Sequence, residues 1–323
     1  MSTLAAPSLT EIRAARERLA RPPKTLVRTP LVRLNSERAP AEIWLKLENL
    51  QPIGSFKLRG AANAMRLASP EELRQGVYTC SAGNMAQGVA WSARELGVPA
   101  TVVVPEHAPA TKLAAIERLG GQVVKVTWER WWQVMVEHSY PGLEGLFLHP
   151  VANRNVMAGN GTIALEILED LPDVDTVLVP FGGGGLSSGI AAALAELRPE
   201  ARVFACEVST AAPLAAALAA GSIQTIDYQP SFVDGIGGKI LLPEMWAIAS
   251  QLIAGSRVVS LEEIADAIRL LAERHRVIAE GAGAASVAAA LAGVPEARKV
   301  VCVVSGGNLD TAKLCTILEG RMP

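Results

Sequence analysis

The sequence predicts an α/β protein built on doubly wound parallel sheets, and three observations predict it. Short apolar runs recur at 43–47, 77–80, 101–104, 123–126, 176–179, 203–207 and 300–305. Several are continuous rather than alternating, the pattern of strands buried on both faces. Stretches rich in Ala, Leu and Glu lie between them, at 85–96, 110–119, 162–168, 186–197 and 261–275, so strand and helix alternate as in β-α-β units. Glycines punctuate the joints: Gly54, Gly83, Gly182 to Gly185, Gly235, Gly237, Gly238, Gly306 and Gly307 fall after strands or before helices. In open sheets of this kind ligands bind at the carboxyl ends of the strands.

Composition supports a large core and narrows the function. The chain has 323 residues, half of them apolar, enough for one large or two modest domains. Aromatics are few while Ala and Gly are many, which suits helices packed closely on a sheet. A net charge of -2 with no run of Lys or Arg gives no case for nucleic acid. Cys80, Cys206, Cys302 and Cys315 are far apart and form no C-x-x-C pair; they read as free thiols of a reducing, cytoplasmic compartment. The N-terminal stretch 1–19 lacks a secretory apolar segment and carries Glu11, Arg13, Arg16 and Glu17. It reads as a surface helix with Ser8 or Thr10 as its cap. The longest apolar run, 211–220, is Ala-rich and interrupted by Pro213, so no membrane span is expected. Pro141, Gly142, Gly145 and Pro150 cluster and mark a candidate boundary near 142–150.

Four joints carry chemistry. Phe181-Gly182-Gly183-Gly184-Gly185-Leu186 follows one strand and opens a helix. Consecutive glycines let the backbone turn tightly and aim several N–H groups inward, which at a helix N-terminus holds a phosphate. Taken alone, the run is also compatible with a flexible turn, and it matches neither a Walker loop nor G-x-G-x-x-G. Gly54-Ser55-Phe56-Lys57-Leu58-Arg59-Gly60-Ala61 puts a lysine at the start of an apolar helix. A single lysine ordinarily reads as a solvated surface charge, but a partly buried one at a helix start has a depressed pKa and can be a Schiff-base nucleophile. Ser81-Ala82-Gly83-Asn84 follows a strand and precedes a helix from Met85. It offers hydroxyl, N–H and amide groups to a carboxylate, and equally reads as an ordinary helix cap. Ser305-Gly306-Gly307-Asn308 closes the last apolar strand, with a hydroxyl suited to a ring nitrogen.

In this order, together with Lys46-Leu47-Glu48, Gly159-Asn160-Gly161-Thr162 and Asp234-Gly235-Ile236, these motifs resemble the fold-type II (tryptophan synthase β-like) pyridoxal-phosphate (PLP) enzymes. Within them the likeness is to the serine/threonine dehydratase, or ammonia-lyase, and serine racemase group. It runs from Thr29-Pro30-Leu31 to Asn308. The resemblance implies two doubly wound parallel-sheet domains with the cofactor between them. Residues 1–52 and 150–323 would form the large cofactor-binding domain and 53–149 a small one. It implies that Lys57 holds pyridoxal 5'-phosphate as a Schiff base and then acts as the base at Cα. Phe56, Lys57, Asn84, Gly182, Gly183, Gly184, Gly185, Leu186 and Ser305 would contact the cofactor, with Asn84 on the phenolic oxygen, the glycines around the phosphate and Ser305 facing the pyridine nitrogen. Ser81, Ala82, Gly83, Asn84 and Met85 would bind the substrate, Ser81 also serving catalysis. The implied reaction is α,β-elimination from a β-hydroxy-α-amino acid of the L-threonine/L-serine type, giving a 2-oxo acid and ammonia. The implied assembly is a homodimer.

The departures from the group are informative. Its racemases place a second hydroxyl one residue after Ser81, where this chain has Ala82; this favours elimination over racemisation. Met85 stands where the group usually has His, and a thioether would tolerate a more apolar substrate. Many relatives bind a divalent cation through an acidic pair, of which Glu207 is present while Thr210-Ala211-Ala212-Pro213 offers no second acid; a weak or absent metal site is expected. Leu58 stands where β-replacement synthases commonly have Asp. Trp128, Trp131 and Trp132 suit either packing at a domain edge or dimer contact, or a bulky substrate such as phenylserine. The chain ends soon after Asn308, so neither a C-terminal regulatory domain nor isoleucine feedback is expected. Racemisation, and a non-catalytic PLP-binding protein that kept the fold, remain the alternatives.

Overall fold

The computed structural model describes residues 4–22 and 26–323; the beginning of the N-terminal stretch discussed above lies outside them. The strands are β1 (Leu31–Arg33), β2 (Glu42–Lys46), β3 (Val77–Cys80), β4 (Ala100–Pro105), β5 (Gly121–Val126), β6 (Leu146–Phe147), β7 (Thr176–Pro180), β8 (Arg202–Val208), β9 (Gly255–Val259) and β10 (Lys299–Val303). The helices are α1 (Leu9–Ala20), α2 (Lys57–Leu67), α3 (Pro70–Leu73), α4 (Asn84–Leu96), α5 (Ala110–Arg118), α6 (Trp128–Glu137), α7 (Arg154–Asp170), α8 (Gly185–Leu197), α9 (Pro213–Ala220), α10 (Pro243–Leu252), α11 (Leu261–Leu270), α12 (Gly281–Leu291) and α13 (Thr311–Leu318).

They form two sheets. The larger has the order β1-β2-β10-β7-β8-β9 and the smaller β5-β4-β3-β6. Among the strands of the described residues, β1 and β2 pair antiparallel and the other ladders are parallel. Helices cover both faces of the larger sheet, giving one apolar cluster around Ile264, Ala285 and Cys302 and another around Ile163, Ile190 and Val301. Neighbouring residues of one strand, Val301 and Cys302, thus face opposite cores, which is why the run reads as continuously apolar.

The seven strands expected from apolar runs all form, within two residues at either end. The three not expected are short or polar: β1 and β6 have three and two residues, and β9 reads GSRVV. The helix expected at 162–168 begins at Arg154. Gly159 and Gly161 lie inside it because neighbouring backbone comes too close for a side chain: a Cβ would stand 2.4 Å from the Arg59 carbonyl oxygen at the first and 2.7 Å from that of Gly189 at the second. The stretch 261–275 is α-helical only to Leu270; a π-helical turn, Leu271–His275, follows. Ser8 caps α1 with a reciprocal Glu11 bond, the capping-box pattern. No helix among the described residues is long and apolar enough to cross a membrane.

Candidate active site

The site follows from where the central strands end. β2, β10 and β7 lie side by side, and the chain leaves them toward Lys57, into Ser305-Gly306 and into the glycine run, in that order. The middle of the smaller sheet, β3, runs into Ser81–Asn84. Phe56 N–H donates to the Ser305 carbonyl at 3.0 Å, and Ser55 and Gly306 form an isolated antiparallel bridge. The lysine segment and the last strand are therefore stitched together, although some 250 residues separate them in sequence.

Lys57 opens α2, with Phe56 before it as the cap and its ring centroid 5.2 Å from the ammonium. The ammonium donates to the Pro150 carbonyl oxygen at 2.7 Å, and no carboxylate pairs with it at salt-bridge distance among the described residues. Burial lowers its pKa to about 8, partly opposed by the charge of Glu280. A lysine so placed loses its proton far more readily than one in water, which is what a nucleophilic amine requires.

The Pro150 carbonyl is itself held in place. His149 is buried, and its Nδ1 accepts N–H bonds from Val151 at 3.0 Å and Ala152 at 2.6 Å, while Nε2 lies 3.1 Å from the Met135 carbonyl oxygen. Two donors on Nδ1 leave the proton on Nε2, and burial together with His138 and Lys57 lowers the His149 pKa to about 3. The ring is thus a neutral staple of the turn. The same turn walls the glycine run. A Cβ on Gly183 would stand 2.7 Å from Val151 Cγ1, and one on Gly185 2.9 Å from the Val151 carbonyl oxygen. Gly184 caps α8 at φ 94°, a conformation that costs other residues energy. Leu186 is buried in the first turn of that helix.

Asn84 is the first residue of α4 rather than its cap. Its Nδ2 donates to Glu280 Oε1 at 2.7 Å and its Oδ1 accepts from Asn308 Nδ2 at 2.7 Å. The Ser81 hydroxyl accepts from Gly83 N–H at 3.2 Å, which closes the loop on itself; Ala82 is half-buried; and nothing lies within 4 Å of a Cβ on Gly83. Met85 is not brought to this surface. It sits in the core with Ala61, Met65, Val77 and Val89, because a helix turns its second residue about 100° from its first.

Beneath the lysine lies a buried ionic network that the sequence reading left without a role. Arg59 donates to both oxygens of Glu48 at 2.8 Å, to Glu166 at 2.7 and 2.8 Å and to the Thr162 hydroxyl at 3.1 Å. Lys46 pairs with Glu166 and donates to the Thr29 carbonyl at 2.6 Å, and the Thr29 hydroxyl donates to Glu48. Two cations and two anions balance in a closed set. The motifs Lys46-Leu47-Glu48 and Arg59 are thereby joined under the first turn of α2.

The other singled-out residues have structural partners. Glu207 accepts N–H bonds from Leu214 and Ala215 and the Ser256 hydroxyl, so its oxygens serve the start of α9. Trp131 and Trp132 pack against Cys80, Val103, Val134 and Met135. Trp128 stacks on Trp131 with centroids 4.9 Å apart and is 55% exposed. Cys80, Cys206 and Cys302 are buried free thiols and Cys315 an exposed one. Glu280, the Pro150 carbonyl, His149 and Val151 join the site without having been expected. The available signal was weak: an acid before a Gly/Ala helix, and a His-Pro pair in a presumed boundary.

Pyridoxal phosphate fits these residues. Its aldehyde requires an amine of lowered pKa, which Lys57 supplies. Its phosphate requires N–H groups at a helix start, which Gly182 to Gly185 would supply at the start of α8, where a Cβ at Gly183 would meet Val151. The Ser55 hydroxyl, fully buried two residues before Lys57, and that of Ser188, in the first turn of α8, have no protein partner, so polar groups are left over where a polar ligand is expected.

Comparison with known proteins points the same way. The family model described as "Pyridoxal-phosphate dependent enzyme" matches residues 24–306. The L-threonine ammonia-lyase of Thermotoga maritima is 41% identical over 288 residues, covering 88% of this chain and 71% of that protein. The catabolic L-threonine dehydratase of Escherichia coli is 38% identical over 318 residues, 96% of this chain and 95% of its own. The solved structure of maize serine racemase superposes with a TM-score of 0.89 at 32% identity, covering 98% of both chains.

Proposed function

This chain belongs to the family of pyridoxal-phosphate-dependent enzymes, and we propose that its reaction is α,β-elimination from L-threonine or L-serine, giving a 2-oxo acid and ammonia. The observation that carries the choice of reaction is Ala82. A racemase of this architecture needs a proton donor on each side of Cα, and the residue beside Ser81 has no hydroxyl. The names of the lyases and dehydratases at 38–41% identity support it.

When bound, pyridoxal phosphate supplies the electron sink that makes the Cα proton of an amino acid removable. The chain's own residues do the rest. Gly182 to Gly185 and the start of α8 hold the phosphate. Lys57, once free, is the base that takes the Cα proton, and its lowered pKa keeps the neutral amine accessible near neutral pH. Asn84 would present its second N–H to the ring's phenolic oxygen. Ser305, neutral, would face the ring nitrogen without forcing a proton onto it, as a carboxylate would. The Ser81–Gly83 loop, open at Gly83, receives the substrate carboxylate. Trp131 and Trp132 are engaged in packing on Cys80 and Met135, so threonine and serine suit the site better than phenylserine. A cytoplasmic homodimer is the proposed setting, the buried free thiols supporting a reducing compartment.

The test is to supply the purified protein with L-serine, L-threonine and L-threo-phenylserine, and to measure 2-oxo acid and D-amino acid together. We expect 2-oxo acid from threonine and serine, a lower kcat/KM for phenylserine, and no D-serine. Release of D-serine without 2-oxo acid would favour the racemase reading that the likeness to maize serine racemase keeps in view. Turnover of none of the three would overturn both.

A further inference from the structure

We propose that Glu280 is the positioning residue of this site: it fixes which way the Asn84 carboxamide points. The inference rests on family membership and not on the choice of elimination.

Glu280 precedes α12 in the cap position, yet its side chain makes no cap bond. It is 6% exposed, and Oε1 lies 2.7 Å from Asn84 Nδ2. An ionised carboxylate only accepts, so the Asn84 atom facing it is the nitrogen. The Asn308 amide, donating to Asn84 Oδ1, demands the same orientation. One of the two Asn84 N–H bonds goes to Glu280, and the second stays free for an acceptor in the site. The seat is shaped to the acid. A Cβ on Gly306 would come within 2.4 Å of Glu280 Oε1 and 3.2 Å of Asn84 Nδ2, and one on Gly235 within 3.3 Å of Oε1. The Glu280 N–H donates to the Gly306 carbonyl at 3.0 Å, which locks the acid to the strand end that carries Ser305.

The charges around Glu280 are few. Asp234 raises its pKa and Lys112 lowers it, and these two pair with each other at 2.8 Å. Burial is the largest influence, raising the pKa to about 7. The negative charge of Glu280 in turn raises the pKa of Lys57, which burial has brought to about 8.

The experiment reads Lys57 without substrate, so its failure leaves the elimination reading standing. Full-length protein stripped of cofactor is labelled with cyanate across pH, and modification of Lys57 is followed by peptide mass spectrometry. In Glu280→Gln the midpoint should fall by about half a pH unit or more, making labelling at neutral pH roughly threefold faster. An unchanged midpoint overturns the electrostatic effect of Glu280 on Lys57. Pyridoxal phosphate titration reads the positioning. Glu280→Gln, whose amide oxygen still accepts from Asn84, should bind nearly as wild type, whereas Glu280→Ala should raise the dissociation constant roughly tenfold. Wild-type affinity in Glu280→Ala overturns it. Should Glu280→Ala fail to fold, Glu280→Asp, which draws the carboxylate back from Asn84, should weaken cofactor binding as well, and wild-type affinity there overturns the proposal.

Discussion

Lys57 and Arg59 lie two residues apart in one helix and show two ways of burying a cation. Arg59 has five hydrogen bonds to Glu48, Glu166 and Thr162. Lys57 has one, to a carbonyl. The first arrangement keeps charge; the second encourages its loss. We predict that Arg59→Ala costs about 3–5 kcal/mol, because it strands two buried carboxylates, as read by chemical denaturation. Lys57→Ala, which removes an incompletely paired ammonium, should leave the melting temperature unchanged or raised while abolishing turnover. Lys57→Arg should be equally inactive, since a guanidinium does not give up its proton. The sign of the pH dependence follows from the same residue. Only the neutral amine reacts, and burial sets its pKa at about 8. Cofactor uptake by stripped protein should therefore slow about tenfold per unit below pH 8 and level off above it, which stopped-flow absorbance would show.

Elements meet in this molecule through turns as much as through faces. The His149–Ala152 turn sits between Lys57 and the glycine run and fixes both. Gly183→Ala should therefore push Val151 away and weaken cofactor binding about tenfold, and adding Val151→Ala should recover most of the loss, a coupling that a double-mutant titration measures. The tie between α1 and α7 is of another kind. Glu11 and Arg154 pair at 2.8 Å on the surface, and the guanidinium is the main cause holding the Glu11 pKa down to about 2. A lowered acid pKa stabilises above the unfolded value, near 4.5, and its contribution is lost as pH falls toward 2. Exposure and solvent screening keep that contribution small, so Arg154→Ala should cost well under about 1 kcal/mol. What the sequence reveals at this scale follows from the same physics. Strands buried on both faces announce themselves as apolar runs, and the glycine run and the Lys57 segment stand out by composition. An edge strand such as β9, a two-residue β6, or a glycine used for helix contact such as Gly159 leaves no such mark. Glu280 and His149 were not legible because their roles depend on residues more than ten positions away: Asn84 lies 196 residues from Glu280, and Met135 lies 14 from His149.

At the scale of the whole molecule, the larger sheet takes strands from both ends of the chain and the smaller one from the stretch between. β10, among the last elements in sequence, is not at an edge but between β2 and β7, and it brings Ser305 and Gly306 against Ser55, Phe56 and Glu280. Order of synthesis therefore differs from order of assembly. A chain emerging from the ribosome can pair β3, β4 and β5 early, since their contacts are near in sequence, whereas β2 and β7 must wait, without a neighbour on their shared side, for β10. Until then the Lys57 segment lacks the Ser305–Gly306 strand end to which it is stitched. Cofactor capture would thus come late in biogenesis, and a nascent chain halted before β10 would present an open sheet to chaperones rather than an aldehyde-reactive lysine to the cell.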